Sequence, residues 1–285
     1  MKKLNRRQFL AAPATSIAGC TLSPQLVLQD SSQEAFDYIL VAKEAPISLL
    51  PDTQTPALTF NGSFPAPVLR ATQGKTIRIK FINQLSEPTT IHWHGIRIDI
   101  AMDGVPFLTQ APIMPGETFI YQFICPDAGT FWYHPHMNSV EQLGRGLVGA
   151  LIVDEAEKVA FDAEVILGLK DWRLNDDGSF MPLSIPRQAA RMGTMGNVKR
   201  VNGLMKPIYD IPAGGSVRVR LLNLDNSRVF TISTKSFSAN IIAIDGNAVK
   251  HSFALESHAM GAGMRLDLGL IAPKKNRRRY CYLRP

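Results

Sequence analysis

The chain has 285 residues, of which 45% are hydrophobic, 8% aromatic and 19% charged. That profile excludes a disordered, collagen-like or disulfide-scaffold protein and allows two domains of ordinary size. A formal charge of +7 suggests anionic partners, but four cations without an acid lie in residues 1–20 and six in 273–285, so removing both ends leaves −3. The basicity belongs to the ends, and the body offers no face to nucleic acid.

The N-terminus reads Asn5-Arg6-Arg7-Gln8-Phe9-Leu10, a twin-arginine export pattern, followed by a weakly apolar run to Gly19 that is too short to span a bilayer. Residues 1–30 are therefore assigned to a Tat-type signal peptide and linker. Ile17-Ala18-Gly19-Cys20 is similar to a lipoprotein cleavage box, which makes Cys20 a candidate lipid anchor; ordinary cleavage at the same small residues is the alternative. Either route leaves the mature protein periplasmic or otherwise exported. No other apolar run reaches ~18 residues, so no transmembrane helix is expected. Cys20, Cys125 and Cys281 are far apart and odd in number, which argues against a disulfide framework.

From about residue 33 the pattern is short β-type segments broken by Gly, Pro, Asn and Asp. Phe36 to Ala42 and Ala57 to Phe60 are the first candidate strands, and Asn61-Gly62 marks a turn. In Lys75 to Ile82, Ile77, Ile79 and Phe81 alternate with Arg78 and Lys80, as in a half-buried strand. Next comes Ile91-His92-Trp93-His94-Gly95. Glu117 to Ile124 alternates again, Trp132-Tyr133-His134-Pro135-His136 follows, and the apolar Leu147 to Val153 reads as a buried strand closing a sandwich.

Side chains at i and i+2 of a strand share a face, so His92 with His94, and His134 with His136, each present two imidazoles in one direction. Facing each other, the pairs make a four-nitrogen metal cage; four satisfied structural histidines are the alternative. Imidazole suits copper, zinc, iron and nickel, so the histidines alone do not name the metal.

An internal repeat follows. Gly74-Lys75-Thr76-Ile77-Arg78-Ile79-Lys80-Phe81-Ile82-Asn83 aligns with Gly214-Gly215-Ser216-Val217-Arg218-Val219-Arg220-Leu221-Leu222-Asn223 at an offset of 140, and Asn202-Gly203 echoes Asn61-Gly62. Two copies of one β-domain is the economical reading. In the repeat register Ile232 and Thr234 stand in place of His92 and His94, while His251 and His258 lie in loop-like sequence without i, i+2 partners. The second copy reads as scaffold.

Asn83-Gln84-Leu85, Pro88-Thr89, the first histidine motif, Met102-Asp103-Gly104-Val105-Pro106, Thr109-Gln110, Pro112-Ile113, Pro115-Gly116-Glu117 and Gly129 through His136 together resemble the first domain of bacterial multicopper oxidases. The resemblance implies an all-β chain of two Greek-key cupredoxin-like β-sandwich domains, the second incomplete. Domain 1 is set at 31–156 and the copper-free domain 2 at 157–272, with 273–285 a basic tail off the family pattern. It implies His92 as a ligand of type 2 copper and His94, His134 and His136 as ligands of the type 3 pair. Asp103 is then a candidate proton donor behind the ligands, a turn-forming role before Gly104 being the alternative. Trp93 and Trp132 are expected to pack the site walls.

The chain also departs from the family. A complete enzyme needs a terminal His-Cys-His segment for type 1 copper and four more cluster histidines; Cys281 has no histidine beside it, and Cys125 reads as a small buried residue. The expectation is a truncated, catalytically incomplete copper oxidoreductase. Complemented by a missing third domain or by homo-oligomerisation, it would use dioxygen and a reducing substrate such as a phenol or metal ion. A non-catalytic copper-binding or scaffold protein of the cell envelope is the alternative.

Overall fold

The computed structural model describes residues 35–157, 159–234 and 237–274. The signal-peptide reading, Cys20, Cys281 and the tail beyond Lys274 lie outside the described residues. Among those residues the chain is almost entirely β, as expected.

The first half contains β1 (Tyr38–Ile47), β2 (Thr55–Phe60), β3 (Leu69–Thr72), β4 (Thr76–Asn83), β5 (His92–His94), β6 (Thr118–Ile124), β7 (Gly129–His134), helix α1 (Ser139–Gly144) and β8 (Gly149–Asp154). Two four-stranded sheets, ordered β2-β1-β4-β6 and β3-β8-β7-β5, face each other across one core. β4 shows why. Its period-two pattern buries Ile77, Ile79 and Phe81, each contributing roughly 1.5–3 kcal/mol. From the other sheet Leu69, Trp93, Phe131, Tyr133 and Leu151 close on them.

The expected first strand runs further than its sequence suggests, through Pro46 to Ile47. β4 pairs with β1 only as far as Ala42, so the extension has one free side, where a proline is tolerated.

The second half contains β9 (Ala163–Trp172), helix α2 (Pro186–Ala189), β10 (Val198–Val201), β11 (Ser216–Asn223), β12 (Phe230–Ile232), β13 (Ala239–Ile244), β14 (Asn247–Ala254), β15 (His258–Met260) and β16 (Arg265–Ile271). A six-stranded sheet, β10-β9-β11-β16-β13-β14, covers a second core with the β12-β15 ribbon.

The repeat is visible in backbone and side chain alike. β1 runs parallel to β4 as β9 does to β11. Asn61-Gly62 and Asn202-Gly203 both turn with positive φ. The Asn61 side chain accepts from Val41 N at 2.7 Å and donates to Ile39 O; that of Asn202 accepts from Gly168 N at 2.7 Å and donates to Ile166 O. Asn83 and Asn223, at the ends of β4 and β11, each receive a backbone N–H two residues on and give their amide to a distant carbonyl, Ile113 or Met260.

Buried charge joins the halves. Thr130 of β7 donates to Asp267 of β16 at 2.6 Å, and the same carboxylate binds Arg218 at 2.8 Å and Arg220 at 3.0 Å, all nearly excluded from water. Such a group of charges costs about 3–5 kcal/mol when one partner is removed. It fixes β7, the strand that carries His134, against the second half.

Candidate metal centre

β5 is three residues long and pairs antiparallel with β7, His92 opposite His134 and His94 opposite Trp132. Alternation sends Trp93 inward, where it is buried among Tyr121, Phe123 and Tyr133 with ring centroids 5.1–5.8 Å away. His92 and His94 therefore point to the opposite face, together with Trp132 and His134. Trp132 does wall the site, stacked on His134 at 4.2 Å and lying 4.7 Å from His94. Trp93 does not: period two commits it to the core on the far side of β5.

All four histidines of the two pairs come together. His92 is 5.7 Å from His94, 5.3 Å from His134 and 4.5 Å from His136 between ring centroids, and His134 is 5.2 Å from His136. One ring nitrogen from each of His92, His94 and His134 lies within 4.8 Å of the others. His94 Nδ1 and His134 Nε2 approach to 3.3 Å, close to the roughly 3 Å separation of two nitrogens that each bond one ion at about 2 Å. His136, just beyond β7, closes the cage on the His92 side.

Backbone and acid set the ring orientations. His92 Nδ1 lies 2.9 Å from the Asp103 carbonyl and 3.2 Å from the Asp103 carboxylate. A carbonyl only accepts, so Nδ1 carries the proton and Nε2 is left as a ligand. His134 Nδ1 donates likewise to Pro135 O at 3.0 Å. Asp103 also ends a short turn before Gly104, where a Cβ would fall 1.8 Å from Ile91 O. Its side-chain contact and its turn role coexist.

Burial, above all, favours the neutral form of three of the rings. It pushes His94 down to about 3, with Arg265, His92 and His136 adding repulsion, holds His134 well below the usual imidazole value, and lowers His136 as well. Neutral imidazole is the form that binds metal. The donor set, nitrogen-only and convergent, fits copper among other borderline ions.

The cage opens into a cavity of about 590 Å³ whose other wall comes from the second half, including Leu183, Ser184, Thr194, Asp225 and Gly263. His251 and His258 take no part. Contrary to the loop expectation they lie in β14 and β15, and neither joins the histidine group. Cys125 is buried, its thiol pushed up to about 11 by desolvation, as suits a small core residue rather than a thiolate ligand. No motif points to Arg265 and Gly263, which come from the second half to lie against Gly95 and the His94 ring respectively. The one hint was Gly95, a glycine directly after a ligand pair, which marks close approach of another group.

The multicopper oxidase family pattern matches residues 42–158, the stretch that holds both histidine pairs. Over that stretch the chain is a multicopper oxidase domain. It is 45% identical to copper resistance protein A of Escherichia coli over half of this chain and 23% of that protein. It is 30% identical to the multicopper oxidase mco of Staphylococcus epidermidis over 81% of this chain and 52% of that one. The crystal structure of a multi-copper oxidase from Pseudomonas parafulva superposes with a TM-score of 0.82 at 46% identity, covering 86% of this chain and 60% of that chain. The corresponding structure from Pseudomonas thermotolerans gives 0.81 at 43% identity, covering 86% and 61%. The chain thus spans between about a quarter and three fifths of these relatives. Its sandwiches are cupredoxin-like multicopper oxidase domains, and copper is the metal the family implies for the cage.

Proposed function

We propose that the chain supplies half of the oxygen-reducing copper centre of a multicopper oxidase, on a domain of residues 31–156 backed by a copper-free domain of residues 157–272. The observation that carries this is the convergence of four imidazoles from β5 and the end of β7. His92 holds type 2 copper, and His94, His134 and His136 hold the type 3 pair. Copper bound there supplies the four-electron reduction of dioxygen to water, driven by one-electron oxidation of a phenol or metal ion.

The chain's own residues orient and hydrogen-bond. Asp103, on the protonated nitrogen of His92, holds that ring, and this reading makes it the proton donor behind the ligands. Trp132 and the second-half wall restrict access to small molecules. The remaining ligands, including the type 1 thiolate, come from a further cupredoxin domain or a second chain. Arg6-Arg7 supports export, with Cys20 as a lipid-anchor site; among the described residues no helix is long and apolar enough to cross a membrane.

A second reading, a copper-binding scaffold of the cell envelope without turnover, is favoured by Cys125, the one cysteine among the described residues, which is buried away from the histidines as a protonated thiol. Copper titration combined with oxygen uptake on a phenolic substrate separates the two. Copper bound without a blue thiolate band and without uptake, then uptake when a further cupredoxin domain carrying the type 1 ligands is added, supports the oxidase reading. Copper bound with no uptake after that addition supports the scaffold, and failure to bind copper sinks both.

A further inference from the structure

The second half contributes one group to the cage that no histidine pattern marks. Arg265, the first residue of β16, is nearly inaccessible, with a side chain 5% exposed. Its guanidinium is held on several sides. Nε donates to Thr130 O of β7 at 3.2 Å, Nη1 to Gly263 O at 3.1 Å and Nη2 to Asp245 O at 2.9 Å, and the Asp245 carboxylate lies 3.2 Å from Nη1.

The group lies directly against the residue after His94. Gly95 turns with φ +88°, and a Cβ there would sit 2.1 Å from Arg265 Nη2. Two residues before Arg265, Gly263 presses on the ring itself: its Cβ would fall 3.3 Å from His94 Cε1 and 3.4 Å from Trp132 Cζ2. The His94 imidazole is thus held between the Trp132 ring and the Gly263 backbone, with a fixed cation beneath its own backbone. A side chain at Gly95 would occupy the space of the guanidinium, and one at Gly263, where φ is +79°, would press on the imidazole.

We propose that Arg265 is a positioning residue for His94 whose buried positive charge also biases the bound metal toward Cu(I) over Cu(II). This rests on the reading of the cage as a copper site. The physical reason is Coulombic. Cu(II) carries one more positive charge than Cu(I), so a cation fixed nearby in a poorly screened interior penalises the oxidised ion more. Asp245, the anion paired with Arg265, is 40% exposed at its side chain and so shielded by water. The buried Asp267 is already shared by Arg218 and Arg220. The cation is therefore incompletely neutralised where it faces the cage. An equilibrium favouring Cu(I) suits a centre that must be reloaded with electrons before each oxygen is reduced.

The test uses the full 285-residue chain and measures Cu(I) and Cu(II) affinities separately by competition with chromophoric chelators, alongside thermal unfolding. Arg265→Gln removes the charge and keeps an amide that can donate in part of the fork. It is expected to move the Cu(I)-to-Cu(II) affinity ratio on the order of tenfold toward Cu(II). Arg265→Lys keeps the charge and loses the fork, so both affinities should fall while the ratio stays near wild type. Gly263→Ala should weaken both states equally by displacing the ring. An unchanged ratio in folded Arg265→Gln, or a ratio in Arg265→Lys that moves as far as in Arg265→Gln, would overturn the charge role. Should Arg265→Gln fail to fold, Asp245→Asn decides instead: removing the paired anion leaves the guanidinium less neutralised, so the ratio should move toward Cu(I), and an unchanged ratio would overturn the charge role. A wild-type chain that binds neither ion removes the cage reading itself, an outcome distinct from a wild type that binds and variants that do not differ.

Discussion

The two halves share a scaffold and differ at one short strand. In each, a parallel pair of strands is pinned by an asparagine turn, Asn61 or Asn202, and a terminal asparagine, Asn83 or Asn223, ties the following loop to a distant carbonyl. In each, a three-residue strand comes next, β5 or β12. β5 turns its middle residue, Trp93, to the core and its outer residues, His92 and His94, to the cavity. β12 does the reverse: Phe230 and Ile232 pack on the core and Thr231 is exposed. A shift of one residue in facing exchanges every side chain between interior and surface. The pair His92–His134 across β5 and β7 becomes Phe230–Met260 across β12 and β15, both buried. The histidine cage is thus a change of facing on a repeated frame, not an addition to it.

The comparison breaks most sharply at the ligands. His134→Ala removes the most buried of the four imidazoles and is expected to weaken copper binding by more than the roughly 10–100-fold typical of losing a group that only supports a ligand. Equilibrium copper titration checks it, with His258→Ala in the other half expected to leave binding unchanged.

The reciprocal experiment asks whether histidine alone makes a site. Phe230→His should not create copper binding, because that position faces the second core. It should destabilise the fold by about 3 kcal/mol through lost packing and a buried polar ring, measured by denaturant unfolding. Copper binding gained at β12 would break the facing argument.

The shared frame makes its own forecast. Asn83→Ala and Asn223→Ala should cost alike, about 2 kcal/mol each, since each removes two bonds to backbone carbonyls and the acceptor of a buried N–H. A large cost at one and none at the other would mean the two asparagines are not equivalent.

The smallest effect concerns the buried Lys170, which desolvation pulls down to about 8 against the attraction of Asp225 and Asp171. Below pH 8 both folded and unfolded chains hold that proton and its burial cost is fully present. Between pH 8 and about 10 the folded chain has released it while the unfolded chain retains it. Stability contributed by this group should therefore rise with pH across that window by at most about 1.4 kcal/mol per unit. Lys170→Met should lose that rise; a slope identical to wild type would contradict the assignment.

Much of this was legible in the chain. Strict alternation in Ile77, Ile79 and Phe81 marked β4, the spaced histidines marked the cage, and the offset between Gly74–Asn83 and Gly214–Asn223 marked the duplicated frame. The same period-two rule that puts His92 and His94 on one face puts Trp93 on the other, in the core and away from the site wall. Comparing the halves by a fixed offset misaligned their short strands. β5 begins nine positions after Asn83 and β12 seven after Asn223, so Phe230 and Ile232, not Ile232 and Thr234, stand opposite the histidines. Gly95 hints at a close approach but does not name Arg265 as the group that makes it. The partner of that arginine, Thr130, lies 135 residues away, and only the folded interface brings the two together.

The central claim is that the cage on β5 and β7 is where this chain binds copper. Electron paramagnetic resonance of the chain loaded with less than one equivalent of Cu(II) tests it directly. Nitrogen splitting from imidazole ligands is expected in the wild type and should be lost when His92, His94, His134 and His136 are all replaced by alanine. The same nitrogen-split signal persisting in the fourfold variant would contradict the claim.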